Sequence, residues 1–378
     1  MNKLAYLVVA SVLALSACSP PAAETSKVAT IEMSDTSRSE MERVNQARFT
    51  LNMPPSLEDS PQRAQPAAAE AAEATAAGAP AAATSPRYDA GMVRLQVMLD
   101  RAHFSPGVID GYDGENVRKA LAAYQLANNL PVTGTADDAL LERLERDQGA
   151  PALVGYVLTE ADVSGPFVDV PDDMEAMSSL DAVGYESASE AIAEKFHMDE
   201  DLLRALNPGV QFTAGTEIVV ANAGGGLNGQ VASIEVAKEE GVLRAFDANG
   251  NLLAFYPATI GSSSTPAPSG ELEITGIAFD PTYHYDADAL PSFNDNSGRK
   301  FTIAAGPNNP VGTVWIALSR DGYGIHGTPE PQLVSKTSSH GCVRLTNWDA
   351  AELGRVVRAG VPVNFVETTM AAASRGRG

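Results

Sequence analysis

The sequence predicts a multidomain α+β protein: a small three-helix module, a second small module of helices and strands, and a mostly β, sandwich-like C-terminal domain. The chain has 378 residues, which at about 150 residues per domain corresponds to two or three domains. Apolar residues recur at helical spacing within 88–148, whereas short β-branched runs dominate after residue 230. A Gly-rich joint at 223–229 separates the two patterns.

The charge balance and the cysteine content exclude several classes of protein. Lys and Arg total 26 against 48 Asp and Glu, so the formal net charge is −22. This acidic balance excludes a nucleic-acid partner bound by phosphate neutralisation. Two cysteines in the chain exclude a disulfide-stapled scaffold, and no spacing matches a zinc motif.

Residues 1–17 have the pattern of an export signal, with an apolar run from Leu4 to Leu15. That run is too short to span a bilayer comfortably. The tetrad Leu15-Ser16-Ala17-Cys18 resembles the lipobox of bacterial lipoproteins. The resemblance implies that Cys18 is acylated as a membrane anchor, and that Ser19 directs the lipoprotein to the outer membrane, in the periplasm. An ordinary cleaved signal with a chance cysteine is the alternative.

Two segments are predicted to lie outside any domain. Between Ala64 and Pro86, 13 of 23 residues are Ala, and prolines interrupt the run. Because proline breaks helices, we predict that 18–87 is an Ala/Pro-rich disordered tether. Residues 369–378 are predicted to form a polar tail.

Residues 88–148 contain three apolar helical patterns separated by turn-rich segments. The segments Gly107-Val108-Ile109-Asp110-Gly111 and Leu130-Pro131-Val132-Thr133-Gly134 resemble those of the peptidoglycan-binding three-helix module of wall enzymes. The resemblance implies binding to the wall. The same turns would be needed in a module that binds nothing, so binding itself stays open.

Residues 152–222 resemble a LysM module, which binds glycans that contain N-acetylglucosamine. Helical patterns at Ala188–Phe196 and Asp201–Leu206 precede a β-branched run at Gly215–Val220. The first strand of such a module is expected at Gly155–Thr159, followed by a long insertion.

Residues 230–368 are predicted to form the mostly β domain. An Asn-Gly turn at Asp247–Gly250 predicts a hairpin, and Trp348–Arg358 is predicted to be a helix with Asn347 as its cap. The predicted strands are Ser233–Ala237, Val242–Phe246, Asn251–Ile260, Glu271–Ile277, Phe301–Ile303, Val314–Leu318, Gly324–His326 and Val361–Val366.

Residues able to carry covalent chemistry are concentrated between His326 and Cys342. A cysteine attacks as its thiolate, so a nucleophilic Cys342 needs a base. An imidazole can accept the thiol proton and return it to a leaving amine. His340 lies two positions before Cys342 and shares its face if the segment is extended. Gly341 allows backbone amides to approach a reacting carbonyl closely.

The segment Gly324–Leu345 resembles the catalytic signature of the L,D-transpeptidases, in which a His is followed by Ser/Thr-His-Gly-Cys. The resemblance covers about residues 230–367. It implies that Cys342 is the nucleophile, that His326 is the general base and acid, and that His340 shapes the site. The resemblance further implies that the reaction requires no metal and no cofactor.

The same resemblance implies further roles. The amides of Gly341 and Cys342 would form an oxyanion hole, and Arg344 would bind a substrate carboxylate. Some family members orient the imidazole with a Ser at the position that is Gly327 here. A backbone carbonyl is then expected to orient the ring, or Ser339 to help.

The reaction implied is acyl transfer within peptidoglycan. Cys342 would attack the third residue of a tetrapeptide stem, D-Ala would leave, and the side-chain amine of another stem would take the acyl group in a 3→3 cross-link. Attachment of a protein to the wall is a variant of this function. The expected partners are stem peptides and glycan, together with the membrane through Cys18. We also expect activity to fall at acid pH and the thiol to be alkylated fast at neutral pH.

Several alternatives remain at this level. The same nucleophile would serve a cysteine amidase or carboxypeptidase that passes the acyl group to water. A non-enzymatic peptidoglycan-binding lipoprotein needs only the N-terminal modules. The side-chain types of His326, His340 and Cys342 would also fit a zinc site. Alternatively, Cys342 is an inert buried side chain, and Arg344 forms an ordinary ion pair at the surface.

Overall fold

The computed structural model describes residues 30–48, 88–262, 265–287, 298–339 and 341–368. The predicted signal 1–17, the lipidation site Cys18, His340 and the tail 369–378 lie outside the described residues. The predicted α+β class is confirmed.

Residues 18–87 were predicted to be a disordered tether, but Asp35–Asn45 within them form helix α1. Val44 is fully buried, and the Asn45 side-chain amide exchanges hydrogen bonds of 2.8 and 2.9 Å with the backbone of Leu153. Ile31 adds a parallel bridge to Thr216. Residues 30–48 are therefore folded against a later module, because their few apolar side chains find a buried face there. Residues 49–87 of the predicted tether lie outside the described ranges.

The three-helix module consists of α2 (Ala90–Arg101), α3 (Glu115–Ala127) and α4 (Asp138–Gln148). Asp89 and Asp137 cap α2 and α4 through their side chains. Gln96 and Gln125 are buried, and each hydrogen-bonds a turn between helices. The module's core is made of Met92, Leu95, Met98, Leu99, Val117, Leu121, Tyr124, Leu140 and Leu144.

The second module has strands at its two ends. It consists of β1 (Leu153–Val157), α5 (Glu160–Val163), α6 (Met174–Met177), α7 (Ala188–Lys195), α8 (Glu200–Leu206) and β2 (Glu217–Ala221). Strands β1 and β2 pair antiparallel. The buried Asn207 side chain donates to the carbonyls of Leu203 and Val219, which ties α8 to β2. An insertion, residues 158–187, separates β1 from α7 and includes α5 and α6.

The C-terminal domain is built mainly from strands. They are β3 (Ser233–Ala237), β4 (Val242–Phe246), β5 (Leu252–Pro257), β6 (Thr259–Ile260), β7 (Gly270–Phe279), β8 (Tyr283–Asp286), β9 (Lys300–Ile303), β10 (Val314–Leu318), β11 (Gly324–His326), β12 (Val343–Arg344) and β13 (Pro362–Val366). Helix α9, Asn347–Val356, precedes β13. Its N-cap is Thr346, whose side chain accepts from the Asp349 amide, so the prediction of Asn347 as the cap was wrong. The Asn347 side chain is used in tertiary contacts instead.

The strands run in the hydrogen-bonded order β5-β4-β3-β13-β7-β10-β11-β12-β6, while β8 and β9 form a separate hairpin. The first half of β7 pairs with β13 and the second half with β10, so β7 joins two sheets. Side chains from both sheets share one core, to which Ile234, Tyr256, Ile316 and Ile325 belong. This is the sandwich-like packing that positions β11 and β12. None of the helices in the described ranges has the length and apolar character needed to cross a bilayer.

Candidate active site

Strands β11 and β12 bring the candidate residues together. They pair in parallel, with Ile325 opposite Val343 and His326 opposite Arg344. Ile325 and Val343 are fully buried in the core. Because alternate residues of a strand point to opposite faces, His326, Arg344 and the preceding Cys342 project from the other face. Segments 18 residues apart in sequence therefore place a thiol, an imidazole and a guanidinium on one surface.

Cys342 is half-buried, and its sulfur lies 3.6 Å from the carbonyl oxygen of Gly322, in the turn between β10 and β11. Burial raises the pKa of the thiol, although the Gly324 backbone and the charge of Arg344 act in the opposite direction. The resting group is therefore a thiol at neutral pH. This does not support the expectation that Cys342 is alkylated fast in the free protein.

His326 is buried, with its Nδ1 2.7 Å from the carbonyl oxygen of Gly327. Only an N–H can donate to a carbonyl, so this bond assigns the proton to Nδ1 and leaves Nε2 as the acceptor. Burial, together with the charge of Arg344, lowers the pKa of His326 to about 4. The ring is thus a neutral base at physiological pH, and the Gly327 carbonyl orients it.

Arg344 is partly buried and acts electrostatically on three side chains of the site. Its charge lowers the pKa of His326 and opposes the increases at Cys342 and Tyr283. No acidic side chain within the described part of the chain forms an ion pair with Arg344.

Ser339 does not reach the imidazole; it holds the turn that carries Cys342. Its hydroxyl donates to the Cys342 carbonyl at 2.6 Å and accepts from the Gly261 amide at 2.7 Å. The Gly341 amide also donates to this hydroxyl, at 3.3 Å. Gly341 has φ +111°, and an added Cβ would lie 3.0 Å from the Tyr323 ring, so the turn requires glycine. The oxyanion role of Gly341 stays a prediction.

The structure explains why the position after His326 is glycine. A Cβ on Gly327 would lie 2.1 Å from Oδ1 of Asn347, far closer than non-bonded atoms approach a Cβ in real proteins. Asn347 is buried and accepts a hydrogen bond from the Thr313 amide through the same oxygen. The side-chain amide of Asn347 thus occupies the space that a serine would need.

Two aromatic side chains, Trp315 and Tyr283, also lie at the site, and of these Trp315 was interpreted from the sequence as a core residue. Trp315 pairs with His326 across β10 and β11, and the two rings stack at 5.4 Å. A Cβ on Gly324 would lie 2.5 Å from the indole ring, so that glycine makes room for the ring. The alternation of β10 indicates the position of Trp315, because Val314 and Ile316 are buried and Trp315 therefore faces the site. Tyr283, on β8, is close enough to Cys342 for their charges to interact.

The insertion of the second module packs on the β8–β9 hairpin beside the site. Val183 and Ile303 are fully buried in one cluster with Tyr283. The Val183 amide donates to the Ala305 carbonyl at 3.1 Å, and Glu175 pairs with Arg299 at 2.7 Å. Within the described ranges, no group of three or more His, Cys, Asp or Glu side chains is arranged to hold a metal ion.

Comparisons with known proteins identify two parts of the chain. Residues 232–365 match the YkuD family, described as an L,D-transpeptidase catalytic domain. Residues 89–144 match a family described as "Putative peptidoglycan binding domain". These ranges lie inside the predicted segments 230–368 and 88–148. The LysM-like resemblance of residues 152–222 stays a prediction.

Relatives carry the same family name. The chain is 29% identical over 181 residues to "Putative L,D-transpeptidase YkuD" of Bacillus licheniformis. This alignment covers 47% of this chain and 92% of that protein. The YkuD protein of Bacillus subtilis is also 29% identical, over 178 residues and 91% of its length. Among solved structures, L,D-transpeptidase 1 of Mycobacterium tuberculosis aligns at 19% identity over 40% of this chain and 65% of that chain, with a TM-score of 0.27.

Both domain matches concern peptidoglycan, which is therefore the partner, and they indicate a cell-envelope location. The predicted enzyme class is confirmed. The chain contains the catalytic domain of the L,D-transpeptidase family, preceded by a peptidoglycan-binding domain.

Proposed function

We propose that this protein forms 3→3 peptidoglycan cross-links by cysteine acyl transfer from tetrapeptide stems. The observation that carries the proposal is the parallel pairing of β11 and β12, which directs His326, Arg344 and the preceding Cys342 to one face. Attachment of a protein to the wall would use the same acyl-enzyme and a different amine.

The first half-reaction starts from the neutral imidazole of His326 and the neutral thiol of Cys342. As the Cys342 sulfur attacks the carbonyl carbon of the third stem residue, Nε2 of His326 accepts the thiol proton. Arg344 stabilises the developing negative charge on sulfur, and a backbone amide in the Gly341–Cys342 turn would stabilise the oxyanion. The bond to D-Ala then breaks, the leaving amine takes the proton from His326, and a thioester remains on Cys342.

The second half-reaction transfers the acyl group. The side-chain amine of another stem attacks the thioester carbonyl and gives a proton to His326. The carbon–sulfur bond breaks, an amide forms, and the proton returns to the Cys342 sulfur. We assign Arg344 to the carboxylate of a stem, because no acidic side chain of the described residues pairs with it. His340 is proposed to shape the site.

Two rival functions use parts of the same molecule. A cysteine amidase or carboxypeptidase would pass the acyl group to water instead of an amine. A non-enzymatic lipoprotein would bind peptidoglycan through its N-terminal modules alone. A neutral imidazole on the same face of the paired strands as a thiol supports an enzyme over the non-enzymatic alternative, since plain wall binding needs neither group.

The location is proposed from the sequence. Acylation of Cys18 would anchor the protein in the outer membrane, facing the periplasm, and residues 49–87 would allow the domains to reach the wall. Growth with labelled palmitate, with Cys18→Ala as the control, tests the anchor. Loss of the label in that variant is the expected result.

The reaction is tested with the full chain and purified tetrapeptide stems. Intact-protein mass should show an acyl adduct, and Cys342→Ala should show none. Product masses then separate the rivals: cross-linked dimers support transpeptidation, and tripeptides alone support hydrolysis. No adduct and no product with the wild-type protein would leave only the binding function.

A further inference from the structure

Asn347 joins the catalytic domain to the second module beside the imidazole. It is 4% exposed, and its Nδ2 donates to the Pro307 carbonyl at 3.1 Å and to Oε1 of Glu194 at 2.5 Å. Its Oδ1 accepts from the Thr313 amide at 3.1 Å. Glu194 lies on α7, so a side chain from another module completes the hydrogen bonding of Asn347.

The same amide lies directly against the residue that orients His326. Added Cβ atoms on Gly312 and Gly327 would lie 2.0 and 2.1 Å from Oδ1 of Asn347. The backbone of Gly327 is therefore packed on this oxygen, and its carbonyl accepts the Nδ1 proton of His326 at 2.7 Å. A continuous set of contacts leads from Glu194 through Asn347 and Gly327 to the imidazole.

We propose that Asn347 and Glu194 are positioning residues for His326: Glu194 holds the Asn347 amide, and Asn347 fixes the carbonyl that selects the catalytic tautomer. The second module thereby contributes to the geometry of a site that lies in another domain. The role in catalysis rests on the proposed function, whereas the effect on the imidazole tautomer does not.

The surroundings of Glu194 make it a sensitive point in this arrangement. Glu194 and Asn347 lie on the wall of a cavity of about 330 Å³ between the modules. Burial raises the pKa of Glu194 to about 7, while hydrogen bonds to Asn347 and Tyr185 oppose the increase. Either protonation state retains an oxygen that accepts from Asn347. Loss of the side chain would instead leave Nδ2 facing the cavity with one partner fewer.

The matched control is on the same helix. Glu190 also contacts the catalytic domain, where its carboxylate accepts from Nδ2 of Asn308 at 2.7 Å. Among the described residues, the hydrogen-bond partners of the Asn347 side chain do not include Glu190. Glu190→Ala therefore removes a similar bond between the same two domains while leaving every hydrogen bond of Asn347 in place. The charge of Glu190 also acts on Glu194, but either protonation state of Glu194 accepts from Asn347.

The test uses the full chain as wild type, Glu194→Ala, Glu194→Gln and Glu190→Ala. Nitrogen-15 NMR of His326 reports the tautomer, and stem turnover reports kcat and KM. For Glu194→Ala we expect partial conversion to the Nε2–H tautomer and a fall in kcat of about 10- to 100-fold, with little change in KM. Glu194→Gln should restore both readouts, because its amide oxygen still accepts from Asn347, and Glu190→Ala should behave as wild type.

A wild-type tautomer in Glu194→Ala would overturn the proposal, as would an equal loss in Glu190→Ala. If the Ala variant fails to fold, Glu194→Met fills similar volume without accepting a hydrogen bond and takes its place. If the wild-type protein turns over no stem, the proposed function fails while the NMR result still decides the positioning role.

Discussion

His326 and Arg344 occupy paired positions on the parallel strands β11 and β12, so a permanent cation lies beside a buried imidazole. Burial and this cation both disfavour the imidazolium, and together they lower the pKa of His326 from 6.5 to about 4. The base is consequently neutral throughout the physiological range. The cation also favours the thiolate of Cys342 once the proton leaves.

The first prediction concerns this charge. Removing the cation in Arg344→Gln makes protonation of the ring easier, so the pKa of His326 should rise. An NMR titration of the His326 ring measures the shift directly and needs no substrate. Arg358→Gln, at an exposed position after α9, is the control and should leave the titration unchanged. A wild-type midpoint near 6.5 would contradict the proposed electrostatics.

The second prediction concerns the thiol. Because burial raises the pKa of Cys342, little thiolate exists at pH 7 in the free protein. Alkylation by iodoacetamide should therefore be slower than that of a cysteine in an unstructured peptide, and it should accelerate as the pH rises. Mass spectrometry of the Cys342 peptide gives the rate. Faster labelling than the peptide at pH 7 would mean that a thiolate is preformed.

The third prediction concerns Gly327. Serine at this position would place Cβ about 2 Å from Oδ1 of Asn347, so Gly327→Ser must displace the amide or the strand end. Although some family members carry serine here, we expect loss of stability of about 1–3 kcal/mol, and loss of turnover, in this chain. Gly276→Ala, on β7 with no atom within 4 Å of the added Cβ, is the control. Thermal unfolding and turnover check both.

Sequence reasoning succeeded where local pattern decides the structure. The strands Ser233–Ala237, Val242–Phe246, Val314–Leu318 and Gly324–His326 have their predicted bounds, because alternating burial and turn residues mark them locally. Strand β12 has only two residues, which is too few to show an alternating pattern in the sequence. It forms because it pairs with β11 on one side and with β6 on the other.

The site was predictable only in part, for a related reason. The spacing of His326 and Cys342 could be recognised along the chain, but Trp315 and Tyr283 join them through strand register and domain packing. Asn347 shows most clearly why the rest could not be predicted. Asn is a favoured helix cap, yet Thr346 is the cap here, and the Asn347 amide forms tertiary hydrogen bonds instead. Local propensity contains no information about such partners.

The fourth prediction concerns Val183, in the insertion between β1 and α7. It is fully buried against the β8–β9 hairpin, and an added Cβ on Gly306 would collide with its carbonyl. Val183→Ala should loosen the hairpin that carries Tyr283. Since Tyr283 lies beside Cys342 and Arg344, KM for stems should rise more than kcat falls. The global cost should be about 1–3 kcal/mol, as for other buried truncations.

The control for Val183 is Val157→Ala, which makes the same truncation in the same module at a side chain that is 42% exposed. It should change neither KM nor the unfolding temperature, because little apolar surface is lost from the interior. Steady-state kinetics with tetrapeptide stems measures KM and kcat, and hydrogen exchange measures the opening of β8 and β9. If Val183→Ala increases exchange in the hairpin but leaves KM unchanged, the insertion supports the hairpin without influencing substrate binding.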